Sequence, residues 1–235
     1  MQRWVPVAPR QSRADGRAYA CVYGSKAYVV DVATGGVRSF DLPAGSDLWQ
    51  VADYGAAGVY IMQMSGLGGP GEGVWLLNPA TGSLNFLRQV HQLWMVRDGH
   101  AWVARFNPVD KTPPGYSELA PANSVVSIDL ATGAETEWFY QAGVYPWFLG
   151  LDSHGHPVVL LMDGTYLIDQ PGSPGRLIDR GSGARGEPLG DGDRVWFGGP
   201  QGIFLYTVSS GFQKVFAHAS DPSNPSFIEP AGYCL

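Results

Sequence analysis

Residues 29–40 read Val-Val-Asp-Val-Ala-Thr-Gly-Gly-Val-Arg-Ser-Phe, and the pattern returns twice, at 76–87 (Leu-Leu-Asn-Pro-Ala-Thr-Gly-Ser-Leu-Asn-Phe-Leu) and at 127–138 (Ser-Ile-Asp-Leu-Ala-Thr-Gly-Ala-Glu-Thr-Glu-Trp). An apolar run, an Asp or Asn, Ala-Thr-Gly and a second alternating run together predict a β-hairpin. The Gly supplies a positive φ, and the Asp or Asn side chain bonds back to the turn amides. Two degenerate copies, at Asp169 and Tyr206, extend the series to five. The intervals are 31→78 = 47, 78→129 = 51, 129→169 = 40 and 169→206 = 37. A period in the forties with room for four short strands is the spacing of β-propeller blades.

A second series interleaves with the first. Asp15-Gly16, Asp98-Gly99 and Asp191-Gly192 each precede an apolar, aromatic-bearing run, and looser copies fall at Asp53 to Gly55 and Asp152 to Gly155. With strands labelled A to D within a blade, these turns join A to B and the Ala-Thr-Gly turns join C to D. From each C–D mark to the next A–B mark the gap is nearly constant: 31→53 = 22, 78→98 = 20, 129→152 = 23 and 169→191 = 22. The variable length falls inside the second and third blades, between B and C, at residues 63–72 and 107–122. Both stretches are rich in Gly, Pro and Ser, as surface loops are. Two elaborated loops on a regular framework suit a scaffold carrying a site; insertion drift at tolerant loop tips leaves the same mark.

The expected fold is therefore all-β: one propeller domain of four-stranded antiparallel blades, at about 9–45, 46–90, 91–142, 143–183 and 184–217. Orphan strands at 2–7 and 225–233 leave a five-bladed or incomplete six-bladed ring, and a chain starting inside a repeat suggests an N-terminus that has lost strands and an export signal.

Composition supports this reading and narrows the function. With 32 Gly, 18 Pro and 45% hydrophobic residues, turns are frequent and core material is ample. A net charge of −6 with 15 Lys+Arg and no basic run argues against a nucleic-acid partner. No apolar run approaches the roughly 20 residues of a membrane span. The two cysteines, Cys21 and Cys234, leave open a disulfide closing the chain or a buried apolar role for Cys21.

At these repeats, over about residues 9–217, the chain resembles the bacterial propellers grouped around the quinoprotein, YVTN and Tol-system families. Residues 127–138 are similar to the quinoprotein repeat, in which Asp, Thr-Gly and a docking Trp follow one another; here Trp138 lies nine residues after Asp129, one beyond the family's place. No quinone or other cofactor is inferred. Residues 12–20, Ser-Arg-Ala-Asp-Gly-Arg-Ala-Tyr-Ala, resemble the Ser-Pro-Asp-Gly strand-turn of Tol-type propellers. That resemblance implies protein–protein contact rather than catalysis; separately, the module is expected to be exported and extracytoplasmic.

Candidate chemistry is mostly aromatic. Trp49, Trp94 and Trp147 each stand four or five residues before an A–B turn. There they would share a face with the B–C loops and stack on a sugar or cap a partner side chain. A repeated position also suits repeated packing between blades. Asp110, Lys111, Tyr116 and Glu118 in the third-blade loop offer an acid, a base, a phenol and a second acid. His154-Gly155-His156 places two imidazoles at i and i+2 with Asp152 nearby, but it coincides with an A–B turn and is read as turn chemistry, with no metal assigned. No nucleophile elbow, zinc-protease motif or phosphate loop occurs. The expected function is a non-catalytic, monomeric binding module for a protein or carbohydrate ligand. The alternative is a propeller enzyme of the lyase, lactonase or glycosidase kind.

Overall fold

Each of the three Ala-Thr-Gly stretches closes a hairpin by the same bonds. Asp31 Oδ1 accepts from the Thr34 amide at 2.8 Å, and the Gly35 amide, at φ +72°, donates to the Asp31 carbonyl at 2.9 Å. At the second copy Asn78 Oδ1 accepts from the amides of Ala80 and Thr81, and at the third Asp129 Oδ1 accepts from those of Ala131 and Thr132. Gly82 and Gly133 take the left-handed place that Gly35 takes in the first. These amide bonds also hold the Asp31 and Asp129 carboxyls below their ordinary range.

The computed structural model describes residues 9–44, 48–63, 73–90, 93–105, 123–181, 188–191 and 194–217. Within them lie a short 3-10 turn, Pro9–Gln11, and five antiparallel sheets, each a meander in chain order. The first sheet holds β1 (Ala18–Tyr23), β2 (Lys26–Asp31) and β3 (Val37–Asp41). The second holds β4 (Trp49–Gly55), β5 (Gly58–Gln63), β6 (Gly73–Leu77) and β7 (Leu84–Gln89). The third is β8 (Leu93–Arg97), β9 (His100–Arg105), β10 (Ser124–Asp129) and β11 (Glu135–Tyr140). The fourth is β12 (Trp147–Leu151), β13 (Pro157–Leu161), β14 (Gly164–Leu167) and β15 (Arg176–Asp179). The fifth is β16 (Leu189–Asp191), β17 (Arg194–Gly199), β18 (Gly202–Thr207) and β19 (Gly211–Ala217).

Four details depart from the sequence reading. The first sheet has three strands, and its expected fourth is reduced to one bridge, Ser12 to Tyr19; Pro9 and the 3-10 turn end any longer pairing there. Asp53 is not in a turn: it lies inside β4 opposite Tyr60, and the turn falls beyond the Gly55–Gly58 pair. In the fifth sheet the residue matching Asp31 is Thr207, not Tyr206, because Thr207 Oγ1 accepts the Ser210 amide at 2.9 Å and Gly211 follows at φ +70°. Among the described residues, only Asp98-Gly99 has the two consecutive positive φ values (49° and 78°) of a type I′ turn, between the paired Arg97 and His100. The predicted end strands at 2–7 and 225–233 and most of both long loops lie outside the described residues.

Two compact units divide the chain: residues 1–103 with 127–135 and 232–235, and residues 104–126 with 136–231. In the first unit, alternate residues of the first two sheets, among them Ala20, Ala27, Val29, Val51, Val59, Ile61 and Leu77, form one core cluster. In the second, Leu149, Val158, Leu167 and Ile178 of the fourth sheet meet Val195, Phe197, Phe204 and Tyr206 of the fifth. Each large side chain so buried contributes about 1.5–3 kcal/mol, which is why the alternation is kept so strictly in β18, where Gly202, Phe204 and Tyr206 face in. Cys21, on β1, is a free thiol, half-buried, and burial raises its pKa; Cys234 lies outside the described residues.

The last strand of one sheet reaches the outer turn of the next. Arg38 of β3 donates to the Pro79 carbonyl, in the β6–β7 turn, at 2.6 Å. Arg88 of β7 covers Gly133 in the β10–β11 turn so closely that a Cβ there would collide with its guanidinium. In the second unit the Gly172 amide, in the β14–β15 connection, donates to the Trp138 carbonyl of β11 at 3.0 Å.

Candidate functional site

Between the fourth and fifth sheets, within the second unit, lies a cleft of about 220 Å³. Its polar wall is the β12–β13 connection, with Asp152, His154 and His156; Asp169 and Arg176 come from either side of the β14–β15 connection, and Tyr206 from β18. The Arg176 guanidinium stands 5.5 Å from the centre of the Tyr206 ring, a cation–π distance.

The β12–β13 connection owes its shape to Asp152. Leu151 pairs with Pro157, so five residues, 152–156, span a hairpin end that two residues span at Asp98-Gly99. The Asp152 side chain is 5% exposed, and its Oδ1 accepts from the amides of His154 (2.9 Å) and His156 (2.8 Å). The backbone closes around it through Asp152 N to His156 O at 2.9 Å, with Gly155 at φ +79° making the reversal. Oδ2 is left to the imidazoles: His156 Nδ1 lies 3.0 Å away and His154 Nδ1 3.8 Å. The two rings run nearly parallel, 22° apart with centroids 5.8 Å apart, and the Trp138 indole flanks His156 at 6.2 Å.

Asp53, in the first unit, is the other notable carboxyl. It is 4% exposed, and its Oδ2 accepts from the Asp98 amide at 3.4 Å. Burial pushes it up to about 6, against the pull of the Arg97 charge. The neighbouring Tyr60 phenol is raised as well, again by burial first.

The tryptophans singled out from sequence take different roles. Trp49 opens β4, is 8% exposed and packs edge-on against Trp75 at 4.9 Å and 74°; its indole Nε1 is buried without a hydrogen-bond partner. Trp94 is the extra residue of a β-bulge between Leu93 and Met95 and is half-buried. Trp147 opens β12 and is 70% exposed. Asp110, Lys111, Tyr116 and Glu118 lie outside the described residues. Sequence reasoning missed the cleft because Asp169, Arg176 and Tyr206 come from separate strands of two repeats, and it used Asp169 and Tyr206 only as spacing marks. The signal it had was the length of the turn between Leu151 and Pro157.

The sequence matches no family model, and no curated protein matches it. Solved structures do. A prolyl endopeptidase aligns over 92% of this chain and 35% of its own, at 17% identity and a TM-score of 0.52. YjhT aligns over 91% of this chain and 85% of its own (14% identity, TM-score 0.49), and TolB from Acinetobacter baumannii over 89% and 54% (10% identity, TM-score 0.46). The chain thus spans about half of TolB and about a third of the prolyl endopeptidase. These neighbours are propeller proteins, and the endopeptidase alignment shows the fold. The chain folds as a β-propeller. No helix among the described residues is long and apolar enough to cross a membrane.

Proposed function

We propose that this propeller is a non-catalytic binding module and that Trp147 is a principal contact for its ligand. The observation carrying this reading is a contrast at one repeat position. Trp49 buries its ring, as a repeated packing role requires, whereas Trp147 leaves 70% of its surface to solvent. The exposed indole stands at the start of β12, which fixes where it is presented. It suits stacking on a sugar ring or anchoring a partner side chain.

Protein and carbohydrate ligands both fit an exposed indole, and the net charge of −6 disfavours nucleic acid. Trp94, Asp110, Lys111, Tyr116 and Glu118 complete the set of proposed contacts. The reading extends to five full blades with an orphan strand at each end, 2–7 and 225–233, to a monomer, and to an extracytoplasmic setting. Screening on a glycan array and a peptide array tests it, followed by fluorescence titration of the best hit. Trp147→Ala is expected to abolish the saturable change while leaving the thermal transition in place. A hit whose affinity is the same in Trp147→Ala overturns the role of Trp147.

A further inference from the structure

Three observations converge on the β12–β13 connection. First, Asp152, His154 and His156 each offer one ligand atom, and these atoms all lie within 4.8 Å of one another. Tetrahedral ligands about 2.1 Å from an ion are about 3.4 Å apart. The Asp152 Oδ2 to Nδ1 distances of 3.0 Å to His156 and 3.8 Å to His154 straddle that figure, so small ring rotations reach it.

Second, the carboxylate is already oriented. Both amides that bond Asp152 hold Oδ1, which leaves Oδ2 aimed at the imidazoles, and this is the division of labour a metal-binding carboxylate needs. Trp138 flanks the His156 ring, with centroids 6.2 Å apart. Little ordering is left for the ion to impose.

Third, this turn is longer than its counterpart at Asp98-Gly99. Asp98-Gly99 reverses the chain in two residues, whereas 152–156 uses five, and the additional length carries both histidines. The group also lines a cleft, so a three-ligand ion here would keep an open position facing about 220 Å³ of space that Arg176 also borders.

We propose that Asp152, His154 and His156 bind one zinc-class divalent cation. Two imidazoles select Zn2+ over Mg2+ and Ca2+, which prefer all-oxygen shells. Three protein ligands leave the fourth position for water or an anionic group, such as a carboxylate, drawn in beside Arg176. The site lies wholly within the second unit and does not depend on Trp147, so the arrays above and the following titration fail or succeed separately.

The test is isothermal titration of the chelator-stripped chain with Zn2+ alone, with Mg2+ and Ca2+ as controls, and with Co2+ as a spectroscopic probe. One equivalent of Zn2+ should bind with no saturable Mg2+ or Ca2+ heat, and Co2+ should develop the strong visible bands of a low-coordinate N/O site. His154→Ala, whose side chain is 56% exposed and can be removed without opening the core, should weaken Zn2+ at least about tenfold. His156→Ala should weaken it further, and a retained thermal transition would separate this loss from unfolding. His91, His100 and His218 supply competing imidazoles. Zn2+ binding that His154→Ala leaves at full affinity is therefore adventitious and overturns the proposal, as does the lack of a saturable equivalent.

Discussion

The second sheet, β4–β7, and the fourth, β12–β15, carry the same two marks: a tryptophan opening the first strand and an aspartate four or five residues later. The structure spends them in opposite ways. In the second sheet Trp49 is buried against Trp75, and Asp53 is held inside the strand, where burial pushes its pKa up to about 6. In the fourth, Trp147 faces solvent, and Asp152, just past the strand, is saturated by two amides and an imidazole. β4 runs two residues past its aspartate, to Gly55, whereas β12 ends at Leu151, just before Asp152. Inside β4 its neighbours are the apolar core and Tyr60; past β12 they are unpaired amides that need an acceptor. Equal sequence marks therefore do not mean equal duties, and the contrast makes specific demands on mutants.

The largest effect is expected at Trp49. Trp49→Ala empties a site packed against Trp75 and should cost about 3–5 kcal/mol in urea unfolding, as for other buried aromatics. A loss below about 1 kcal/mol would show that the Trp49–Trp75 contact is not structural. Next comes Asp152→Ala, which strands two amides that are now paired; a cost of about 2–3 kcal/mol is expected. Asp152→Asn, which keeps an acceptor at Oδ1, should lose less than half of that in the same measurement.

Asp53 should behave in the opposite sense. Its pKa rises from 3.8 to about 6 on folding, so between those values the folded chain holds a proton the unfolded chain has released. Stability attributable to this group is therefore greatest below pH 4, falls as the pH rises to about 6, and is flat above. Asp53→Asn keeps an acceptor for the Asp98 amide without the charge. It should stabilise the chain by about 1–2 kcal/mol at pH 7.5, less than the full shift implies because the site is partly relaxed, and by almost nothing at pH 4. A variant equally destabilised at both values would mean that the carboxylate is needed where it lies. Smallest of all, Trp147→Ala should shift the thermal unfolding free energy by no more than about 0.5 kcal/mol, the range of ordinary surface changes.

The hairpins were legible because their chemistry is local. Asp31, Thr34 and Gly35 bond within five residues, and the same is true at Asn78 and Asp129, so the turn is written where it is made. The Asp53 strand was misread as a turn because Asp-Tyr-Gly resembles Asp-x-Gly turns, while what decides the matter is the Gly55–Gly58 pairing with β5, a contact the local sequence does not encode. The cleft was illegible for a related reason: Arg176 and Tyr206 meet only once two sheets have packed, and nothing in either segment names the other. For the histidines the residues were visible, but their meaning depended on where Asp152 Oδ2 points, and that is set by two backbone amides. The burial of Trp49 likewise depends on Trp75, two strands away in the same sheet, a contact invisible at the residue itself.

The contacts from one sheet's last strand onto the next sheet's outer turn have a consequence for how such a chain grows. The second and third repeats carry both halves of a fastening: a turn that receives and, in the last strand, a group that reaches forward. Arg38 finds the Pro79 carbonyl and Arg88 finds Gly133 by the same logic, although neither pair shares a sequence motif. A segment copied whole by gene duplication would arrive able to fasten at both edges, whereas one cut at any other phase would lose one of them.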